Sequence, residues 1–144
     1  MIDKQTLVDF EQEIARLFET GQIHSPVHLS KGNEDDLIRI FRDIQPEDWV
    51  FSNHRNHYHA LLKGIPKEWL LSEIMANHSI TINNAEYRFF SSAIVGGILP
   101  IAVGVAMAGK RVWVFCGDMA AETGIFHECV KYAAGHELPI HFVV

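Results

Sequence analysis

Two apolar runs, Val112 to Cys116 and Ile140 to Val144 with His141 as the one polar residue of the second, constrain this chain more than any other feature. Neither alternates with polar residues, so each reads as a strand covered on both faces. Between them, Gly117-Asp118 ends the first run. Ala121 to Gly135 then has helical spacing, with Phe126, Val130, Ala133 and Ala134 on one face, and Pro139 breaks it. Strand–helix–strand with buried strands predicts parallel pairing through a right-handed crossover, hence an α/β fold with helices flanking a parallel sheet. Ligands of such open sheets bind just past the carboxyl ends of the strands. That directs attention to Gly117 and Asp118.

At 144 residues the chain has the size of one domain, and a hydrophobic content of 48% supplies a core without help from a disulfide or a metal. Twelve Lys+Arg stand against 18 Asp+Glu, for a net charge of -6. The only close basic pair is Lys110–Arg111, so a nucleic-acid binder, which needs a basic face, is excluded. Cys116 and Cys129 have no CxxC spacing and read as reduced thiols of a cytoplasmic protein. The amino terminus opens on Asp3 and Lys4 with no apolar run, so no signal peptide is expected. Ala93 to Gly109 is uncharged, but it falls short of the ~20 residues of a membrane span and contains Pro100. It reads as a helix buried in protein, and no membrane partner is expected.

Elsewhere the pattern is helical and polar by turns. Leu7, Phe10, Ile14, Leu17 and Phe18 mark an amphipathic helix that Gly21 stops. Asn33 suits the N-cap of a second helix carrying Leu37, Ile40, Phe41 and Ile44, ended by Pro46. Trp49 to Phe51 is a short extended run, and Pro66 suits the first residue of a helix through Trp69, Leu70 and Ile74. From Asn77 to Ser92 the periodicity fails, which predicts a long loop. In the apolar helix read from Ala93 onward, Ala93, Gly97, Gly104 and Ala108 fall within about 60° of one another at 3.6 residues per turn. Such a stripe serves either packing within the fold or a subunit contact.

Few residues stand out as chemistry. Asp118, at a strand end and just before a helix, could bind a hard cation through oxygen while the helix start offers N–H groups to a phosphate. It could equally be a plain N-cap. His54-Arg55-Asn56-His57-Tyr58-His59 contains histidines enough for zinc, yet no second ligand pair has matching spacing. An arginine inside the cluster suits an anion instead, and histidines at a solvated helix start remain a third reading. Glu122 and Glu128 read as surface or interface carboxylates. His28 carries no signal by itself, and no Walker loop, GxGxxG or GxSxG is present.

Taken in order, five segments resemble one family. They are His28-Leu29-Ser30-Lys31-Gly32-Asn33-Glu34, then His54-Arg55-Asn56-His57, then Ile94 to Gly104, then Gly117-Asp118-Met119-Ala120-Ala121-Glu122-Thr123-Gly124, then Phe126-His127-Glu128. The chain from Leu17 to Val144 is similar to the alpha subunit of thiamine-diphosphate-dependent 2-oxo acid dehydrogenases, of the pyruvate and acetoin type.

The resemblance implies a single thiamine-diphosphate-binding domain over residues 1–144, as the amino-terminal part of an alpha subunit and so a truncated fold. It implies thiamine diphosphate and Mg2+ as cofactors. The reaction would be decarboxylation of a 2-oxo acid, or acetoin-type cleavage, with acyl transfer to a lipoyl carrier. Implied partners are a beta subunit that supplies the activating glutamate and a lipoyl acyltransferase. This chain alone would be inactive. Another thiamine-diphosphate lyase or transferase, or a fragment that only pairs with a partner subunit, stays open as an alternative.

By position, Asp118 matches the magnesium ligand. Gly117, Met119 and Ala120 match residues at the diphosphate, and His54 and Arg55 match the cofactor-contacting pair. Ala93 and Val95 match backbone contacts to the aminopyrimidine. His28 and His57 match histidines with catalytic roles, His28 on the substrate side. Two departures are notable: Met119 stands where the family's GDG has its second glycine, and Tyr58 stands where a glycine follows Arg-x-His. The asparagine that completes the magnesium site is expected just beyond Val144.

Overall fold

In the computed structural model, which describes residues 2–144, Asp3 turns the chain into its first helix. Its carboxylate accepts from the Thr6 backbone N–H at 2.8 Å and the Thr6 hydroxyl at 2.6 Å, capping α1 (Lys4–Glu19). The helix ends where Gly21 takes φ +70, with the Gly21 and Gln22 N–H groups returning to the Phe18 and Leu17 carbonyls. Leu7, Phe10 and Ile14 are fully buried along its inner stripe. Each such side chain stabilises the fold by roughly 1.5–3 kcal/mol relative to exposure.

The chain continues as α2 (Glu34–Phe41), β1 (Trp49–Ser52), α3 (His57–Leu62), α4 (Lys67–Met75), β2 (Asn83–Asn84) and β3 (Phe89–Ser91). It ends with α5 (Ile98–Met107), β4 (Val112–Phe115), α6 (Asp118–Ala121), α7 (Gly124–Gly135) and β5 (Ile140–Val143). The sheet order is β2-β3-β1-β4-β5, and every pair is parallel except β2 with β3. The parallel sheet flanked by helices is therefore as expected.

Strand alternation gives the central strands β1 and β4 a buried face on both sides, whereas the edge strands β2 (Asn83–Asn84) and β5, which exposes His141, are partly open. Val50, Phe89, Trp113 and Phe115 join α1 to α4 in one core. Phe51, Val112 and Val114 point the other way, under Leu99, Ala102 and Ala106 of α5 and Cys129 of α7. The register pairs like with like, Val50 beside Trp113 and Phe51 beside Val114.

Four expectations are corrected. The stretch from Asn77 to Ser92 is no continuous loop: it contains β2 and β3, and β3 pairs with β1. Three residues, Phe89 to Ser91, are too few to display a period of two, and Arg88 at φ +52 interrupts the run before them. The apolar helix begins at Ile98 and not at Ala93, because Gly96 adopts φ +75. A Cβ at Gly96 would also stand 2.9 Å from the Ile125 Cγ2, so this turn needs glycine twice over. Ala93 and Gly97 thus leave the proposed helical stripe. The helix read from Ala121 is two helices, broken between Ala121 and Gly124 with Thr123 capping the second. The second helix closes at Phe41, before Ile44. Among the described residues no helix is long and apolar enough to cross a membrane.

Candidate functional site

The order of strands locates the site. From β1 the chain crosses to β3 on one side, whereas β4 leads to β5 on the other. A crevice opens where the connections diverge, past the carboxyl ends of β1 and β4. The segments that follow β1, β3 and β4 meet there: Asn53–Arg55, Ser92 with Ile94–Gly96, and Cys116–Ala120 line a cleft of about 290 Å³.

Seven of the residues matched to cofactor contacts line this one cleft, namely His54, Arg55, Val95, Gly117, Asp118, Met119 and Ala120. Ala93 is not among the lining residues. His28 stands at the edge, its ring packed edge-on against His54 with centroids 4.6 Å apart. His57 does not reach the cleft. Its ring is fully buried, Nδ1 lies 3.0 Å from Glu11 Oε2 and Nε2 lies 3.0 Å from Ser79 Oγ. Neither nitrogen is open to a substrate, so a direct catalytic role for His57 is corrected to a structural one.

Arg55 is exposed. Its backbone N–H donates to Asn53 Oδ1 at 2.8 Å, and its guanidinium donates to the Leu29 carbonyl. That bond ties the loop carrying His28 to the cleft wall and leaves the other guanidinium N–H groups for an anion. Burial, then the charges of His28 and Arg55, hold the His54 imidazole below the usual histidine range. Asp118 is exposed, and one carboxylate oxygen accepts the Met119 N–H at 2.8 Å. Met119 lies in the helical turn of α6 without a positive φ, so replacing the family glycine there costs no backbone strain. Tyr58, at the other departure, is buried and donates its hydroxyl to Glu34 Oε1 at 3.1 Å.

The histidine-dense segment divides instead of converging. His54 faces the cleft, His57 meets Glu11 and Ser79, and His59 bonds Ser52, so zinc has no common point to occupy; no group of three metal-ligating side chains forms among the described residues. Among the described residues Asp118 is the one carboxylate that lines this cleft, and so the carboxylate it offers a hard cation.

His59 had no assigned role in the sequence. It is buried between Phe41 and Phe115, with Nδ1 2.6 Å from Ser52 Oγ, and lines a second hollow of about 430 Å³ that shares Asn53, Arg55, Cys116 and Gly117 with the cleft. Burial pushes its pKa from 6.5 down to about 3. The unfolded chain therefore binds an extra proton between these values, and stability falls as pH drops from about 6.5 toward 3. This residue contributes at most about 1.4 kcal/mol per pH unit. Urea unfolding at pH 7, 6 and 5 should show the decline, with a flatter slope for His59→Gln. Parallel slopes would remove His59 as its source. A larger hollow, about 460 Å³, lies by Ile2, Ile38, Phe41 and Leu61. Its Asp3 and Thr6 side chains already bond each other in the α1 cap, which leaves little to recognise a polar ligand.

Comparison with known proteins identifies the family. The family model described as the dehydrogenase E1 component matches residues 2–144. The alpha subunit of acetoin:2,6-dichlorophenolindophenol oxidoreductase from Cupriavidus necator is 30% identical, covering 97% of this chain and 47% of its own length. The corresponding subunit from Bacillus subtilis is 31% identical over 93% of this chain and 45% of its own. The pyruvate dehydrogenase E1 component subunit alpha of Porphyra purpurea is 28% identical over 94% and 46%. The chain thus spans less than half the length of these relatives.

Proposed function

This chain belongs to the dehydrogenase E1 component family, and we propose that its β1–β4 crevice binds thiamine diphosphate with Mg2+, as part of an alpha subunit acting on a 2-oxo acid or an acetoin-type donor. The observation that carries the reading is the convergence of His54, Arg55, Gly117 and Asp118 on one cleft from two strand ends. Their chemistry fits the group. Asp118 would hold the metal, and Arg55, with donors to spare, would meet the diphosphate beside His54. Backbone at Val95 would face the aminopyrimidine, and Met119 and Ala120 would lie along the diphosphate. When bound, thiamine diphosphate supplies the carbanion-stabilising chemistry, and the protein supplies binding, orientation and electrostatics.

A partner subunit belongs to the proposal for two reasons. Among the described residues Asp118 is the only carboxylate lining the cleft, which supports an activating acid supplied by a beta subunit. The rim is also apolar and open: Ile94, Val95 and Met119 are 73%, 62% and 71% exposed. On α5, Leu99, Ala102 and Ala106 cover the sheet while Ile101, Met107 and the empty space beside Gly104 face outward. A helix apolar on every side belongs in an interior, here one completed by a beta subunit. Transfer of the acyl group to a lipoyl acyltransferase extends the same reading, supported by the family alone. The free Cys116 and Cys129 support residence in a reducing, cytoplasmic compartment.

Arg55 provides a direct test. Arg55→Lys keeps the charge but loses the fork. Calorimetric titration of thiamine diphosphate with Mg2+ should show about tenfold weaker binding, the cost of roughly one charge-assisted hydrogen bond, with the melting temperature close to that of the parent. Normal binding with a large loss of stability would make Arg55 a structural residue and remove it from the site.

A further inference from the structure

Glu11 sits in the middle of the apolar stripe of α1 and is only 5% exposed. A carboxylate placed there must find donors. It finds the Ser30 backbone N–H, 3.0 Å from Oε1, and His57 Nδ1, 3.0 Å from Oε2. An ionised carboxylate only accepts, so His57 carries its proton on Nδ1. Nε2 then meets the Ser79 hydroxyl at 3.0 Å. The chain of bonds goes on: the Asn56 amide donates to the Ser79 carbonyl at 3.1 Å and to Ser91 Oγ at 3.2 Å. Ser79, Asn56 and Ser91 are all buried.

Each end of this network adjoins a wall of the cleft. Ser30 lies two residues after His28, beside the Leu29 carbonyl that receives the Arg55 guanidinium. Asn56 directly follows Arg55, and Ser91 directly precedes the Ser92–Gly96 wall. One buried carboxylate on α1 is thereby bonded, through Ser30 and His57, to the segments that carry two walls of the cleft.

We propose that Glu11 is a positioning residue for the cleft, holding the His28 loop and the His54–Arg55 segment in one arrangement through Ser30 and His57. The proposal rests on the cleft being the cofactor site. It differs from simple stabilisation of the fold in what Glu11→Gln should do. Glutamine is isosteric and keeps an acceptor for Ser30, but it offers His57 an N–H in place of an acceptor. His57 must then move its proton to Nε2 and donate to Ser79.

The test uses the 144-residue chain with histidine-selective 15N labelling, followed by calorimetric titration of thiamine diphosphate with Mg2+. In E11Q the His57 nitrogens should exchange tautomer, and the imidazole signals of His28 and His54 should shift. Cofactor affinity should fall about tenfold or more, consistent with loss of supporting hydrogen bonds around a ligand site. Glu11→Asp, which keeps the charge, should recover most of it. Unmoved His28 and His54 signals, or affinity within about twofold of the parent in a folded E11Q, would overturn the proposal. If the parent itself binds no cofactor, the cofactor reading fails, while the shifts of His28 and His54 still decide the role of Glu11. If E11Q does not fold, Ser79→Ala, which removes one hydroxyl at the far end of the network, is read by the same signals and with the same two outcomes.

Discussion

Replacing Asp118 by alanine is expected to abolish magnesium-dependent binding of thiamine diphosphate, lowering affinity by at least about a hundredfold, the upper end of what even supporting residues of a metal site cost. Among the described residues Asp118 is the only carboxylate that lines the cleft, so none of its neighbours there can substitute for it as a carboxylate ligand. The same substitution should leave the fold nearly intact. The side chain is exposed, and its one hydrogen bond, to the Met119 N–H, is worth about 1 kcal/mol. Titration calorimetry with and without Mg2+, paired with a thermal melt, separates the two effects. Unchanged affinity in the variant would remove Asp118 from the metal site. A melt lowered by ten degrees would make it a structural cap.

The second large effect concerns the partner chain. The isolated chain should release carbon dioxide from no 2-oxo acid at more than about a hundredth of the rate of the assembled pair, since a positioned acid or base contributes about 10²–10⁴-fold. Asp118 cannot serve both the metal and the aminopyrimidine, and among the described residues no other acidic side chain lines the cleft. Assembly should also cover Ile94, Val95 and Met119, whose exposure is otherwise a cost in water. Turnover assays on the chain with and without a beta subunit, alongside light scattering, test both statements. Full turnover by a monomer would contradict them.

How much of this could be read in the sequence depended on range. The β4–α7–β5 unit was legible because both strands are apolar runs bounded by Gly117 and Pro139, although only β4 is buried on both faces and β5, at the sheet edge, exposes His141. The onset of α5 was not, because an apolar stretch looks the same whether Gly96 continues a helix or turns back at φ +75. Likewise β3 owes its existence to pairing with β1, a contact that three residues cannot announce. Within the site, the strand-end position of Asp118 and the arginine set among histidines at His54-Arg55 followed from local pattern, whereas Val95 was singled out by resemblance, and the fold gathers them at the same crevice. His57 was assigned by the same resemblance, yet its partners, Glu11 and Ser79, lie 46 and 22 residues away. In the sequence Glu11 already falls on the apolar stripe, four residues after Leu7 and three before Ile14, but its partners Ser30 and His57 are brought to it only by the fold.

The central claim is that metal and diphosphate bind where β1 and β4 end. Substituting Mn2+ for Mg2+ and locating the metal by its anomalous signal in crystals grown with thiamine diphosphate tests it most directly. The expected result is a single manganese peak bonded to an Asp118 carboxylate oxygen, with the diphosphate between it and Arg55. A peak away from Asp118, or cofactor density outside the crevice between His54 and Met119, would contradict the account.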